Sequence, residues 1–318
     1  MSQNELSSEQ DRELVAESQI EVDGFLVLLF YQYVKIESPE EFASEHFAYC
    51  RGLGARGRII IAAEGINGTL SAPIEQAEEY MRMMHLDPRF TGMVFKIDRV
   101  QDHVFRKLFV RAKAELVTFR FDQSIDPNEL TGQKLSPKEF FEAAQDEDVV
   151  ILDVRSDYEF DLGHFRGAVR PNVRTFREFP DWVRGSLSEF KDKRILTYCT
   201  GGIRCEKFTG FLLHEGFTDV AQLDGGVLTY AKDPEVQGRL FDGKCYVFDE
   251  RISVPVNSVE REVVSRCVHC GTPSDRYINC SLDDCHVQHF SCEECSVLMN
   301  GACSVRCMDI LDAGLSVL

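Results

Sequence analysis

The sequence predicts three parts in series: an α+β domain, an α/β domain on a largely parallel sheet, and a small cysteine-rich C-terminal region. Three observations carry this. Strand-like and helix-like text over residues 25–125 runs β-α-β-β-α-β, strands and helices alternate over 137–240, and eight of the twelve cysteines crowd between Cys267 and Cys307. With 318 residues, 44% hydrophobic and 28% charged, the chain is long enough for two or three domains with their own cores. No apolar run approaches the roughly 20 residues of a membrane helix. The polar, acidic first residues read as neither secretory signal nor transit peptide, so a cytoplasmic protein with no membrane contact is expected. A net charge of −18 argues against a broad non-specific grip on nucleic acid, and DNA is not an expected partner.

In chain order, residues 1–24 read as a flexible acidic lead-in. FLVLLFYQYV from Phe25 is strand text, and Ser38-Pro39-Glu40-Glu41 starts a helix with Ser38 as its cap. Arg58 to Ala63 is a second strand. Glu64-Gly65-Ile66-Asn67-Gly68 reads as a turn into a third strand at Thr69-Leu70-Ser71. Ile74 to Met84 has helical spacing, and Met93 to Val100 and Leu108 to Val117 return to strand text. That order fits a ferredoxin-like (acylphosphatase-like) domain over 25–125. Near its end Arg99, His103, Arg106, Lys107, Arg111, Lys113 and Arg120 are interleaved with Phe105, Phe109 and Phe119. Such text suits phosphate contacts and base stacking on RNA, with Arg106, Lys107, Arg111 and Lys113 as candidates, or else an ordinary solvated strand face over a phenylalanine core.

Residues 126–136 read as a linker, and the second domain spans 137–240. Its helix Pro137–Glu142 precedes the apolar strand Val149–Leu152, which ends at Asp153. A second apolar strand, Ile195–Tyr198, ends at Cys199 and is followed by Thr200-Gly201-Gly202-Ile203-Arg204, with helical text from Cys205. A strand-to-helix turn aims backbone N–H groups and a helix N-terminus at one point, which favours a thiolate at Cys199. Gly201 and Gly202 let the backbone curl, and Arg204 closes the cradle with a permanent cation. The C-x4-R spacing makes a smaller cradle than a C-x5-R phosphate loop. Cys199 and Arg204 are the candidate catalytic residues, and Cys205 either resolves an oxidised Cys199 or packs inward from its helix. Arg166, Arg170, Arg174 and Arg177 form a second basic cluster nearby.

The region 241–318 carries C-x2-C, C-x4-C, C-x2-C and C-x3-C pairs: Cys267, Cys270, Cys280, Cys285, Cys292, Cys295, Cys303 and Cys307. That is the count for two tetrahedral zinc sites, with His269, His286 and His289 as substitutes; reduced free thiols, disulfides or an iron–sulfur cluster are the alternatives. A tail this small and poor in large aliphatics needs such staples. Spacing does not say which cysteines share a metal.

Three motifs, DVRSDYEFDLGHFRGA (Asp153–Ala168), CTGGIRC (Cys199–Cys205) and LDGGVLTY (Leu223–Tyr230), resemble a rhodanese domain. The resemblance implies an α/β rhodanese fold whose loop cysteine, here Cys199, carries persulfide sulfur. Asp153, Arg155, Glu159 and His164 match its other motif positions, where an Arg155–Glu159 pair or a capping His164 would hold loops. With AAEGINGTL (Ala62–Leu70) ahead and the Cys-rich tail behind, the whole chain resembles the bacterial tRNA uridine hydroxylase family. What this implies is conversion of wobble uridine to 5-hydroxyuridine with molecular oxygen as co-substrate and tRNA as partner. A sulfurtransferase working through a Cys199 persulfide, and a non-enzymatic RNA- or protein-binding adaptor, are the alternatives.

Overall fold

The computed structural model describes residues 24–121 and 125–314, so the acidic lead-in lies outside it except for Gly24. Strands β1 (Phe25–Tyr33), β2 (Arg56–Ala62), β3 (Gly65–Pro73), β4 (Lys96–Val100) and β5 (Leu108–Ala112) form one sheet in the order β4-β1-β3-β2-β5. Its pairs are antiparallel except β2 with β5. The first four strands make the expected ferredoxin-like arrangement, and β5 extends its edge. Helices α1 (Pro39–Gly52) and α2 (Ile74–Leu86) bring Ala43, Cys50, Ala77 and Tyr80 into one core with Leu26, Leu28, Phe30 and Ile66.

Two local expectations fail here. Gly65–Gly68 is strand rather than turn, because Gly68 is small for packing: a Cβ there would lie 2.7 Å from the Phe30 ring. Ser38 stands at the helix start without a side-chain cap; Pro39 and two acids carry that role.

Pleating sends Leu26, Leu28 and Phe30 into this core and Leu29, Tyr31 and Tyr33 to the opposite face. That second face is also covered: Tyr33 packs with Leu116 and Ile203 of the following domain. Burial on both sides explains why β1 reads as an almost unbroken apolar run.

Strands β6 (Gln133–Leu135), β7 (Val150–Asp153), β8 (Gly163–Phe165), β9 (Arg194–Tyr198) and β10 (Asp219–Leu223) follow. All but β8 form a parallel sheet in the order β6-β10-β9-β7. The expected linker over 126–136 is therefore partly strand: Leu135 is buried and pairs with Leu223, and turn-rich text around it hid so short an edge. Helix α3 (Pro137–Ala143) begins with a capping box between Ser136 and Glu139. Helices α4 (Asp157–Leu162), α5 (Phe179–Ser186), α6 (Ile203–His214) and α7 (Gly226–Tyr230) complete the layers. β11 (Phe241–Tyr246) pairs with β8 and with β12 (Ser253–Pro255), fastening the C-terminal region to this domain. A hairpin, β13 (Tyr277–Asn279) and β14 (Gln288–Phe290), and helices α8 (Glu293–Leu298) and α9 (Val305–Asp312) follow, with Cys295 and Cys307 on the helices and the other six of the eight cysteines in the segments around these elements. Among the described residues, no helix is long and apolar enough to cross a membrane.

Candidate active site

Cys199 ends β9 at the carboxyl edge of the parallel sheet, where open α/β sheets place their sites. The helix starts at Ile203, two residues earlier than the text suggests. Gly202 has φ +103°, and its N–H donates to Cys199 Sγ at 3.1 Å. Gly201 has a different reason to be glycine, since its missing Cβ would lie 2.8 Å from Leu29 of the N-terminal sheet. From below, Val227 N–H and Leu228 N–H of α7 donate to the carbonyls of Cys199 and Thr200 at 2.9 and 3.1 Å.

Burial alone would push the Cys199 thiol up. A hydrogen bond from Cys205, the Arg204 charge and the N–H groups of Cys205 and Gly202 outweigh it and bring the thiol down to about 5. The Cys205 thiol is driven up, by burial first and then by the thiolate beside it. Cys199 is thus a thiolate at neutral pH, with no water-exposed surface.

Arg204 does not project freely into the cradle. Its guanidinium forks onto Glu159 at 2.8 and 2.9 Å and donates to Thr200 Oγ1 at 3.1 Å. Glu159 is fully buried; burial raises its carboxyl, but the arginine charge holds it below the usual range. The Arg155–Glu159 pair is therefore replaced by Arg204–Glu159. Arg155 instead grips Asp153 at 2.6 Å and the Gly163 carbonyl at 2.6 Å, both side chains wholly buried. His164 Nδ1 lies 2.9 Å from the Phe160 carbonyl, closing the short helix α4. These contacts hold loops.

The sheet of the N-terminal domain roofs the loop. Between them lies a pocket of about 350 Å³ whose lining includes Cys199, Arg204, Arg58, Asn67 and Phe248. Sequence reasoning missed the last three; the doubly apolar β1 was the signal that its second face meets a partner. The roof is tied down by Tyr31 OH donating to Glu206 at 3.0 Å and by buried Lys207 bridging Glu64 and Glu115 at 2.9 and 3.1 Å. A second cleft of about 450 Å³ opens beyond Tyr31 and is lined in part by Lys96, whose ammonium burial lowers to about 8.

The basic stretch divides. Arg106, Lys107, Arg111 and Lys113 are all exposed, and the Arg111 guanidinium lies 5.2 Å from the Phe109 ring centre. Phe105 and Phe119 are buried, so base stacking on them is ruled out by packing. Arg106 pairs with Glu250. In the second cluster Arg166 and Arg170 are matched by carboxylates, while Arg174 and Arg177 are exposed.

The eight cysteines sort into two tetrads, Cys267/Cys270/Cys292/Cys295 and Cys280/Cys285/Cys303/Cys307, each with its sulfurs within 4.8 Å of one another. The first and third pairs share one tetrad and the second and fourth the other, so the sites interlock. Sulfur separations of 3.6–3.7 Å exclude disulfides and approach the ~3.8 Å edge of a tetrahedron with 2.3 Å zinc–sulfur bonds. The N–H groups of Cys295 and Cys303 donate to the sulfurs of Cys292 and Cys280, both at 3.4 Å. Neither tetrad includes a histidine.

Comparison with known proteins covers nearly all of this architecture. Residues 25–116 match the UPF0176 acylphosphatase like domain, 136–233 the rhodanese-like domain and 242–308 the rhodanase C-terminal domain. A tRNA uridine(34) hydroxylase from Bacillus licheniformis is 57% identical, covering 85% of this chain and 84% of its own. One from Bacillus cereus is 55% identical over 89% of each. A solved rhodanese-like domain protein from Staphylococcus aureus covers 32% of this chain and 94% of its own, at 23% identity and TM-score 0.27.

Proposed function

Because the chain belongs to the tRNA uridine(34) hydroxylase family, we propose that it hydroxylates uridine 34 of tRNA, at C5 of the base. The observation that carries the reading is an activated Cys199 beneath a roofed pocket in a chain more than half identical to those enzymes along most of its length. Molecular oxygen is the co-substrate: one atom enters C5, and the other leaves as water with two electrons and two protons from a reductant.

Cys199 acts as nucleophile. Its thiolate adds to C6 of uracil and places electron density on C5, where oxygen attaches; loss of the C5 proton then expels the thiolate. Backbone N–H groups of the loop and the Arg204 guanidinium hold the sulfur's negative charge without reorganising. Cys205 keeps Cys199 ionised and is the nearest thiol to resolve it if oxidised. The relatives' name favours hydroxylation over sulfur transfer.

The exposed cations Lys107, Arg111 and Lys113 are the proposed tRNA contacts, with Arg106 contributing less because it is already paired. The two cysteine tetrads bind zinc as structural sites, which suits four thiolates and no open position.

The experiment is nucleoside mass spectrometry of tRNA from cells lacking the protein, complemented with wild type or Cys199→Ser. Wobble 5-hydroxyuridine derivatives should vanish in the deletion and return with wild type alone. Restoration by Cys199→Ser would remove the cysteine from the mechanism, and unchanged uridine modification in the deletion would overturn the function.

A further inference from the structure

The pocket over the loop has a composition that points to its occupant. Apolar side chains form much of its lining, among them Leu29, Ile60, Leu116 and Ile203. The charged group at its floor, Arg204, is spent on Glu159, and the Tyr31 hydroxyl on Glu206. Asn67 is different. It lies at the centre of the roof, between Tyr31 of β1 and Ile60 of β2, and its amide has no hydrogen-bond partner among the described residues. A half-buried amide left unpaired over an apolar pocket is set to pair with something that enters. An amide presents one donor and one acceptor side by side, the complement of a pyrimidine edge.

Two further groups extend the match. Phe248 is 47% exposed yet lines the pocket beside Arg204, whose guanidinium carbon lies 5.9 Å from its ring centre. An exposed aromatic beside a cavity offers a stacking surface for a flat ring. Arg58 is exposed at the same pocket with no carboxylate partner among the described residues, which suits a phosphate.

We propose that this space is a pocket for one extrahelical pyrimidine nucleotide: Asn67 pairs with the base edge, Phe248 covers its face and Arg58 meets the adjoining phosphate. The inference rests on the tRNA-modifying reading and deepens it. A base within a stacked anticodon loop cannot reach the buried Cys199, so it must be swung out, and this pocket receives it. Asn67 reads a pyrimidine edge, because its amide offers one donor and one acceptor and turns over to meet the N–H and carbonyl of uracil.

The test compares anticodon stem-loops carrying uridine or an abasic site at position 34, bound to full-length wild type, Asn67→Ala and Phe248→Ala, alongside hydroxylation kinetics. Wild type should bind the uridine loop about tenfold tighter, on the scale of one edge-read base. Asn67→Ala should raise the uridine-loop Kd toward the abasic value while the abasic-loop Kd stays put, and lower kcat/KM on tRNA by about tenfold or more. A folding defect would weaken both loops together, and Phe248→Ala, a surface change, then decides: it should weaken uridine binding while phosphate-driven binding persists. Unchanged discrimination and kcat/KM in both variants would overturn the pocket. If wild type binds with discrimination but hydroxylates nothing, the functional reading fails and the base pocket stands.

Discussion

At the scale of single residues, the site is a contest between burial and hydrogen bonding at Cys199. Burial should make the thiol inert; the Cys205 thiol, Arg204 and two backbone N–H groups reverse that and bring it to about 5. The thiolate is the reactive form, so kcat/KM should hold steady from pH 8 down to about 6 and fall only as pH drops through about 5. An ordinary thiol, near 8.5, would already be failing at neutral pH. Cys205→Ala removes a donor and should move that acid limb to higher pH, whereas Cys205→Ser keeps a donor and should leave it in place. Equal loss of activity in both variants would instead mark Cys205 as the resolving thiol. Glu159 answers to the same physics. Its removal leaves Arg204, 12% exposed, with the Cys199 thiolate as its remaining counter-charge. Glu159→Ala should therefore cost about 3 kcal/mol in urea unfolding, near the low end for a broken buried pair because Thr200 remains. The loop itself was legible in the text, since the chemistry of cysteine, glycine and arginine is local. The partner of Arg204 was not, because Glu159 reaches it from 45 positions away through the fold.

At the scale of elements, strand text carried most of the α/β order, and the failures share one cause. Gly65–Gly68 and Gln133–Leu135 were read as connections because turn-forming residues lie in or around them, yet each is held by a neighbour the text cannot name: Phe30 over Gly68, and Leu223 beside Leu135. The cysteine pairs carry the same lesson, since spacing fixed the number of ligands but left the partnership open. The interlocked partnership gives opposite expectations for two double variants of the full chain, read as zinc per protein by elemental analysis. Cys267→Ser with Cys292→Ser should lose one of two equivalents, because both belong to one tetrad. Cys267→Ser with Cys280→Ser should lose both. A sequential pairing along the chain would exchange these results, and a metal-free wild type would remove the sites altogether.

At the scale of the molecule, the question is how a chain of net charge −18 holds a polyanion. The answer lies in distribution. β5 and the residues on either side of it expose Lys107, Arg111 and Lys113 at the edge of the same sheet that roofs Cys199, with Arg58 beside Phe109 on the neighbouring strand. Docking the sheet on the loop thus puts Arg58 and Cys199 in the lining of one pocket, and the strand paired beside Arg58 carries the other cations. This could not be read from composition, because the pairing of β5 with β2 and the burial of the sheet's second face are both tertiary. Each exposed cation that meets a phosphate releases about 0.7–0.9 of a counterion. Replacing Lys107, Arg111 and Lys113 by alanine should therefore weaken tRNA binding and flatten the slope of log K against log salt by about 2–3, with melting temperature unchanged. Arg106→Ala should move the slope much less, because Glu250 already neutralises that guanidinium. An unaltered slope in the triple variant would shift the tRNA path to Arg174 and Arg177, the exposed arginines of the second cluster that have no ion pair among the described residues.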